Sequence, residues 1–264
     1  MQLILSAKNL FAKLKESKLL VVDTRPFAEY LAGHVPGAVN IDLFQFHWTD
    51  TSRQGIKEFQ RQSRILHSNM GVKNNQMVVF YDNLSGMSAA RGVWLLLYFS
   101  HRNVHLLDGG FEQWKCHGFP IETKTNHFVP SHFTGRPNPR VIASFSDVKN
   151  SLEKRNTVII DARTNEEFTG LHVRAARAGH IPSAINMNWE QNIDDGCFKS
   201  SEGLQKLYSN IPKSSKIITY CQGGYRAANT FLALKILGYK DVRMYLGSWG
   251  EWGNKLDLPI EQSK

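Results

Sequence analysis

The chain has 264 residues, a formal net charge of +9 and 42% apolar residues, a composition typical of soluble globular proteins. No apolar run is long enough to cross a bilayer and the N-terminus lacks a secretory-signal pattern, so we expect no membrane association. The basic residues are scattered without a block of like charges, which gives no support to a nucleic acid partner. The length suits two domains of ordinary size.

Short apolar runs alternate with helix-length segments along the chain. The predicted strands share continuous runs rich in Val and Ile and are residues 19–22, 78–81, 158–160 and 217–220. Such runs indicate strands buried on both faces of a parallel sheet. Apolar residues recur at helical spacing over 86–99 and 225–237, and Gly238 is placed to end the second helix. The pattern predicts an α/β fold with helices covering mostly parallel sheets.

The sequence repeats itself. In both halves a strand run is followed by Asp-x-Arg, then Glu with an aromatic residue, then Gly-His-(Val/Ile)-Pro-x-Ala. The spacing is nearly constant, because Asp23 precedes Asp82 by 59 residues and Asp161 precedes Cys221 by 60. A duplication explains this agreement and predicts two domains joined by a polar linker that contains prolines. The first domain, the linker and the second domain are placed at residues 1–124, 125–140 and 141–264.

The fourth predicted strand runs directly into Cys221, and a turn that contains Gly223 and Gly224 separates this cysteine from the next helix. Ligands of open α/β sheets bind beyond the carboxyl ends of the strands. The glycines permit a tight turn whose N–H groups form an anion nest, and the helix N-terminus and Arg226 add positive charge. In this field a thiol ionises more readily than a free cysteine, and the thiolate is the nucleophile.

On these motifs the chain resembles the tandem-domain rhodanese family, the thiosulfate and 3-mercaptopyruvate sulfurtransferases. The motifs that carry the resemblance are DAR at 161–163, GHIPSAIN at 179–186, CQGGYRAA at 221–228 and GSWGEWGN at 247–254. The resemblance implies two tandem rhodanese-like domains, each a mostly parallel sheet covered by helices on both faces. It also implies a catalytic cysteine in the second domain alone. The first copy has Asp82 at the equivalent position, and a carboxylate cannot hold a sulfane sulfur, so we expect that domain to be catalytically silent.

The resemblance implies a ping-pong reaction that moves a sulfane sulfur from a small anionic donor to cyanide or a thiol through a persulfide on Cys221. No metal and no organic cofactor is expected. The basic Arg226 favours thiosulfate over 3-mercaptopyruvate as the donor. The residues expected to bind the substrate in this loop are Gln222, Gly223, Gly224, Tyr225 and Arg226.

The second copy carries an insertion beside this site. Asp161 precedes His180 by 19 residues, against 11 for the equivalent pair in the first copy, and the extra residues add Arg174 and Arg177. We hypothesise that one or both arginines bind the donor anion; the alternative is a solvated basic loop. Several members of the family carry a donor-binding arginine four residues after the Asp-x-Arg arginine, but this chain has Glu167 there, so the family's substrate-binding set does not transfer whole.

Two other functions are compatible with the motifs. A related fold carries phosphatases with five residues between the cysteine and the arginine, whereas four separate Cys221 from Arg226. Rhodanese domains can also serve as non-catalytic interaction modules, although the second domain keeps its cysteine, glycines and arginine. The odd number of cysteines fits no disulfide or metal framework, which favours a reducing compartment and a cytoplasmic location.

Overall fold

The computed structural model describes residues 2–154 and 156–262, and the chain divides into two compact units. Unit 1 comprises Met1–Phe46, Phe59–Asn138 and Ile193–Phe198, and unit 2 comprises His47–Glu58, Pro139–Asn192 and Lys199–Lys264. Each unit therefore includes one short segment from the other half of the sequence. The predicted boundaries, 1–124 and 141–264, describe the two copies of the repeat and stay a prediction.

The regular elements alternate along the described residues. The strands are β1 (Ile4–Leu5), β2 (Leu19–Asp23), β3 (Val39–Asn40), β4 (Met77–Tyr81), β5 (Val104–Leu107), β6 (Ile142–Ala143), β7 (Thr157–Asp161), β8 (Ile185–Asn186), β9 (Ile193–Asp194), β10 (Cys197–Phe198), β11 (Lys216–Tyr220) and β12 (Val242–Tyr245). The helices are α1 (Ala7–Lys13), α2 (Phe27–Ala32), α3 (Arg53–Asn69), α4 (Met87–Tyr98), α5 (Gly110–Cys116), α6 (Phe145–Lys149), α7 (Asn165–Thr169), α8 (Ser201–Leu207), α9 (Tyr225–Ile236) and α10 (Ser248–Trp252). Short 3-10 helices form at Leu43–Phe46 and Trp189–Asn192.

The two units contain the same sheet. Unit 1 orders its strands β1-β5-β4-β2-β3, and unit 2 orders its strands β6-β12-β11-β7-β8. Every pairing within these two five-stranded sheets is parallel. In both sheets the strand that precedes the glycine turn is central, so its carboxyl end is flanked by neighbouring strands on each side. The predicted α/β class, with mostly parallel sheets in two tandem domains, is confirmed.

Both faces of the unit 2 sheet are covered, because alternate residues of a strand point to opposite faces. Ile218 and Tyr220 of β11 belong to a buried cluster that also contains Trp252 of α10. On the other face, the hydroxyl of Thr219 donates to the carbonyl of Ala227 in α9 at 3.1 Å. The carboxyl end of β11 is therefore held between elements on either side of the sheet.

Capping boxes fix the starts of two helices of unit 2. Ser144 and Asp147 exchange side-chain and backbone hydrogen bonds at the start of α6, and Thr164 and Glu167 do the same at the start of α7. Such reciprocal caps satisfy amide groups that the first helical turn leaves without intrahelical partners. The cap of α7 also sets the position of Glu167, whose side chain is nearly fully buried.

The long predicted elements coincide with the observed ones. The four predicted strands correspond to β2, β4, β7 and β11, and the two predicted helices correspond to α4 and α9. The edge strands of two residues each were not predicted, because so short a run carries no periodicity. Within the described residues, no helix is long and apolar enough to cross a membrane.

Candidate active site

The cysteine at the carboxyl end of β11 is enclosed by its own turn. Cys221 is only 1% exposed, and its Sγ accepts a hydrogen bond from the backbone N–H of Gly224 at 3.1 Å. The backbone N–H of Cys221 donates to the hydroxyl of Ser248 at 3.3 Å. The turn therefore directs an N–H group at the sulfur just before α9 begins, an arrangement that stabilises negative charge on sulfur.

The two glycines of the turn are required for different reasons. Gly224 has φ = 88°, a left-handed conformation that favours glycine. Gly223 is outside that region, but a Cβ built on it would lie 1.9 Å from Cε1 of His47. Glycine at 224 thus serves the backbone, whereas glycine at 223 leaves room for a side chain. Sequence reasoning assigned both to the turn and missed the second reason.

The backbone of the turn is held by α10 and by the inserted segment 171–178. The N–H groups of Trp249 and Gly250 donate to the carbonyls of Cys221 and Gln222, each at 2.9 Å. The side-chain amide of Gln222 donates to the carbonyl of Arg174 at 2.9 Å. These contacts fix the orientation of the turn relative to the sulfur without using the sulfur itself.

An ion pair lies directly beside the turn. The guanidinium of Arg226, in the first turn of α9, donates to both carboxylate oxygens of Glu167, with 2.9 Å from Nη2 to Oε1. Side-chain exposure is 13% for Arg226 and 3% for Glu167. Bidentate pairing of this kind combines two charge-assisted hydrogen bonds with a fixed geometry.

Both members of the pair are charged. Burial raises the pKa of Glu167, but the hydrogen bond and the charge of Arg226 outweigh it and lower that pKa to about 2. Burial likewise lowers the pKa of Arg226, while Glu167 and the nearby Cys221 raise it above its ordinary value. Glu167 stands where several members of the family have a donor-binding arginine. Its negative charge compensates the positive charge of Arg226.

The structure separates the two inserted arginines. The Nη1 atom of Arg174 lies 3.5 Å from the Glu167 carboxylate, and its side chain is 48% exposed. Arg177 instead donates to backbone carbonyls near the end of α10, at 2.9 Å to Trp252 and 2.6 Å to Leu258. Further carbonyl partners of Arg177 are Gly253, Lys255 and Leu256. Arg174 is near the predicted site residues, whereas the guanidinium of Arg177 is used to hold the segment that follows α10.

His47 is the nearby side chain that sequence reasoning missed. It belongs to unit 2, is exposed, and places its ring parallel to that of Tyr225, with an interplanar angle of 3° and 6.3 Å between ring centroids. Nothing in the repeat indicates this position, because His47 lies in the half of the sequence that carries no cysteine at the loop position. Tyr225, a predicted substrate-binding residue, is buried with its ring parallel to that of His47, and its role toward the substrate stays a prediction.

The Asp-x-Arg motif is structural in both units. Arg163 is buried and donates to Asp161 at 3.0 Å and to the carbonyl of Gly179 at 2.8 Å. In unit 1, Arg25 makes the equivalent bonds, at 3.0 Å to Asp23 and 2.7 Å to a glycine carbonyl. The motif joins the end of an internal strand, β2 or β7, to the Gly-His segment that follows in the sequence, and in both copies it is buried.

The equivalent turn of unit 1 is filled by its own carboxylate. Asp82 accepts hydrogen bonds from the backbone N–H groups of Gly86 at 3.0 Å, Ser88 at 3.2 Å and Ala89 at 3.1 Å. Burial raises the pKa of Asp82 to about 6, although these N–H groups act to lower it. The turn of unit 1 thus directs its amide groups at a carboxylate, whereas in unit 2 the N–H of Gly224 is directed at a sulfur.

A metal centre finds no support among the described residues, where no group of three or more His, Cys, Asp or Glu side chains could hold a metal ion. The other two cysteines belong to unit 1. Cys116 is exposed, and burial together with the charges of Asp108 and Asp195 raises the pKa of Cys197 to about 11.

The arrangement, a buried cysteine in a glycine turn between a central parallel strand and a helix, occurs on a duplicated α/β unit. The Rhodanese-like domain family matches residues 6–117 and 144–255, and the chain belongs to this family. A thiosulfate sulfurtransferase of Pseudomonas aeruginosa is 30% identical over 267 residues, covering 98% of this chain and 97% of that protein. The sulfur carrier protein TtuD of Thermus thermophilus is 32% identical over 253 residues, covering 89% and 87%.

A solved structure agrees with these relatives. The 3-mercaptopyruvate sulfotransferase SseA of Escherichia coli superposes with a TM-score of 0.80 at 25% identity, covering 94% of this chain and 99% of that one. The predicted tandem-domain rhodanese family and the predicted enzyme class are confirmed by these matches.

Proposed function

We propose that this rhodanese-family sulfurtransferase carries the transferred sulfur on Cys221 and takes it from thiosulfate. The observation that carries the proposal is the position of the Cys221 sulfur, inside a turn whose Gly224 N–H donates to it at 3.1 Å. A persulfide on Cys221 extends the side chain by one sulfur atom and keeps a negative charge. This turn and the N-terminus of α9 stabilise that charge.

The reaction balances without an outside oxidant. The Cys221 thiolate attacks the outer sulfur of thiosulfate, a new S–S bond forms, the S–S bond of the donor breaks, and sulfite leaves with the electron pair. A thiolate or cyanide then attacks the terminal sulfur of the persulfide, and Cys221 leaves as a thiolate. Cyanide gives thiocyanate and a thiol gives a new persulfide. Neither step requires a metal or an organic cofactor, and each is a nucleophilic displacement at sulfur.

The loop residues then divide their roles. Gly224 supplies the N–H at the sulfur, and Gln222 holds the turn through Arg174. Glu167 fixes the position of Arg226, and we propose that the positive charge of Arg226 acts at the Cys221 sulfur. In this proposal Arg226 is not a free arginine that binds the donor. Arg174 is the exposed arginine that we assign to the donor, and Arg177 is assigned to holding the end of α10.

Thiosulfate is favoured as the donor for two reasons. Cationic side chains gather at the turn, which suits a dianion, and relatives in several bacteria are named thiosulfate sulfurtransferases. A panel that compares kcat/KM for thiosulfate and 3-mercaptopyruvate, with Cys221→Ser as the blank, tests the proposal. We expect thiosulfate to be preferred and a mass increase of one sulfur atom on Cys221. Turnover that survives in Cys221→Ser would overturn it.

The same assay discriminates the alternatives. A phosphatase of the related fold would hydrolyse an aryl phosphate, and a non-catalytic module would neither hydrolyse it nor form thiocyanate. The loop from Cys221 to Arg226 has four intervening residues and no Asp or Glu to act as a general acid, which supports sulfur transfer over phosphate hydrolysis.

We propose a cyanide or low-molecular-weight thiol acceptor and a cytoplasmic location. The location is supported by the number and spacing of the three cysteines, which fit no disulfide framework.

A further inference from the structure

Unit 2 includes residues 47–58, here called the arm, although this segment precedes the rest of the unit by about 80 residues of sequence. Its anchor is Thr51, whose N–H donates to Glu251 Oε1 at 2.9 Å and whose hydroxyl donates to Oε2 at 2.5 Å. The same hydroxyl accepts from the N–H of Phe145 at 2.8 Å. Thr51 and Glu251 are each 3% exposed, so the anchor is buried.

The anchor is attached to the element that holds the turn. Glu251 belongs to α10, and its carboxylate also accepts from the hydroxyl of Tyr245 at 2.9 Å. A buried carboxylate needs such donors, since burying it without partners is strongly unfavourable. The N-terminal residues of α10 bond the carbonyls of Cys221 and Gln222. The arm and the turn are therefore fixed to the same short helix.

From this anchor the arm brings His47 against the turn. The ring of His47 fills the space that a side chain at position 223 would occupy, and its Nε2 atom would lie 3.7 Å from a Cβ on Gly250. The methyl group of Thr49 would lie 3.3 Å from that same Cβ. A Cβ at 250 would meet the carbonyl of Gln222 first, at 2.9 Å, so Gly223 is the glycine that the arm itself requires. The backbone conformation of Gly223 does not require glycine.

The arginines beside the turn are already bonded to other groups, which leaves a role for a further polar group in binding the donor. Arg226 is paired with Glu167, and Arg177 is bonded to backbone carbonyls. Arg174 shares the same carboxylate at 3.5 Å. A small dianion that reaches Cys221 therefore meets cations whose charge is partly compensated. The imidazole of His47 is a polar group that lies against this turn and is exposed.

We infer that His47 is a specificity-determining residue whose imidazole contacts the anionic end of the sulfur donor, and that Thr51 and Glu251 position it. The inference rests on the proposed function and names a group that the repeat does not contain. His47 belongs to the half of the sequence whose own loop carries Asp82, so the donor site includes a side chain from the copy without a catalytic cysteine.

The test is a KM-against-kcat comparison in the full-length protein with thiosulfate as the variable substrate and cyanide held saturating. We expect His47→Ala to raise the KM for thiosulfate about tenfold, the effect of one lost hydrogen bond to a charged group, with kcat within about twofold of wild type. His47→Gln keeps a donor and should recover part of the loss. Lys57→Ala, which removes an exposed charge from the same arm, is the matched control and should leave KM unchanged.

A double substitution tests the geometry independently. Gly223→Ala places a methyl group where His47 lies, so it should impair turnover, whereas Gly223→Ala combined with His47→Ala should recover kcat toward the value of His47→Ala alone. Thr51→Val removes the hydroxyl that anchors the arm and should change KM in the same direction as His47→Ala. If the double variant is no better than Gly223→Ala, the ring does not fill that space.

Two results separate this inference from the proposed function. If wild-type protein forms no persulfide on Cys221 with thiosulfate, the proposed function fails. If wild type forms the persulfide and His47→Ala has an unchanged KM for thiosulfate, the inference about His47 is overturned while the proposed function stands.

Discussion

Glu167 and Arg226 form a bidentate ion pair beside the Cys221 turn, with both side chains largely removed from solvent. Glu167 is the third residue of a capped helix, and Arg226 lies in the first turn of the helix that follows the cysteine. The pair therefore ties α7 to α9 across the carboxyl edge of the sheet. Unit 1 keeps the glutamate of this pair as Glu29, which accepts from the amide of Asn83 at 2.7 Å.

Glu167→Gln should destabilise the protein by about 3 kcal/mol, because it leaves the charge of Arg226 largely buried with a neutral partner. The free energy of unfolding, measured by denaturant titration, checks this. Arg174→Ala is the control, since its side chain is half exposed and contributes less than about 0.5 kcal/mol to the pair. Equal stability of Glu167→Gln and wild type would show that the pair contributes nothing net.

Acid should weaken the folded protein through the same carboxylate. The pKa of Glu167 is lowered to about 2 in the folded state from an ordinary 4.5, so its stabilisation is full above pH 4.5 and is lost as the pH falls toward 2. We expect wild type to lose about 3 kcal/mol more than Glu167→Gln over this range. Parallel unfolding curves for the two proteins between pH 4.5 and pH 2 would contradict the assignment.

Substitutions of the two inserted arginines should change different measured quantities. Arg174→Ala should raise the KM for thiosulfate several-fold with little change in stability, because the side chain is exposed near the turn. Arg177→Ala should lower the free energy of unfolding by about 2 kcal/mol, because several backbone carbonyls lose their donor at once. Steady-state kinetics and thermal unfolding on both variants provide the comparison. The opposite pattern would return Arg177 to the donor site.

Asp82→Cys should not create a second active site. Three residues separate Asp82 from Gly86 at the start of α4, against two between Cys221 and Gly224, and Ser88 stands where the second domain has Arg226. In a Cys221→Ser background we therefore expect thiocyanate formation to stay at the level of the Cys221→Ser blank. The same background tested for labelling by iodoacetamide shows whether the new thiol is present and accessible. Restored turnover would show that a cysteine alone is sufficient.

The sequence was informative wherever the signal was local or repeated. Continuous apolar runs predicted the central strands, helical spacing predicted α4 and α9, and the duplicated motif order predicted the tandem architecture. The cysteine turn was recognisable because strand, turn and helix are consecutive in the chain. The strands, the helices and the turn depend on residues within about ten positions of one another, where spacing translates directly into geometry. The duplication is recognised instead from two separations of similar length, 59 and 60 residues.

The features that the sequence did not predict depend on distant partners. His47 and Gly223 are far apart in the chain, and the reason for glycine at 223 is visible only when both are placed. Arg174 and Arg177 are arginines of the same insertion, so the sequence gives both the same prediction. The guanidinium of Arg177 nevertheless reaches the end of α10. Glu167 was noted only as a departure from the family, because a sequence shows that an arginine is missing but not what a glutamate bonds in its place.

The arm, residues 47–58, makes the packing around Cys221 depend on a segment from the first half of the sequence. A fragment that began at residue 141 would contain Cys221 and its entire turn, but it would lack the hydroxyl and the N–H of Thr51 that satisfy the buried Glu251 carboxylate. The N-terminal copy cannot then be lost by deletion while the C-terminal copy keeps its packing. The first half of the chain thus supplies a structural piece without which the fold of the second half is incomplete.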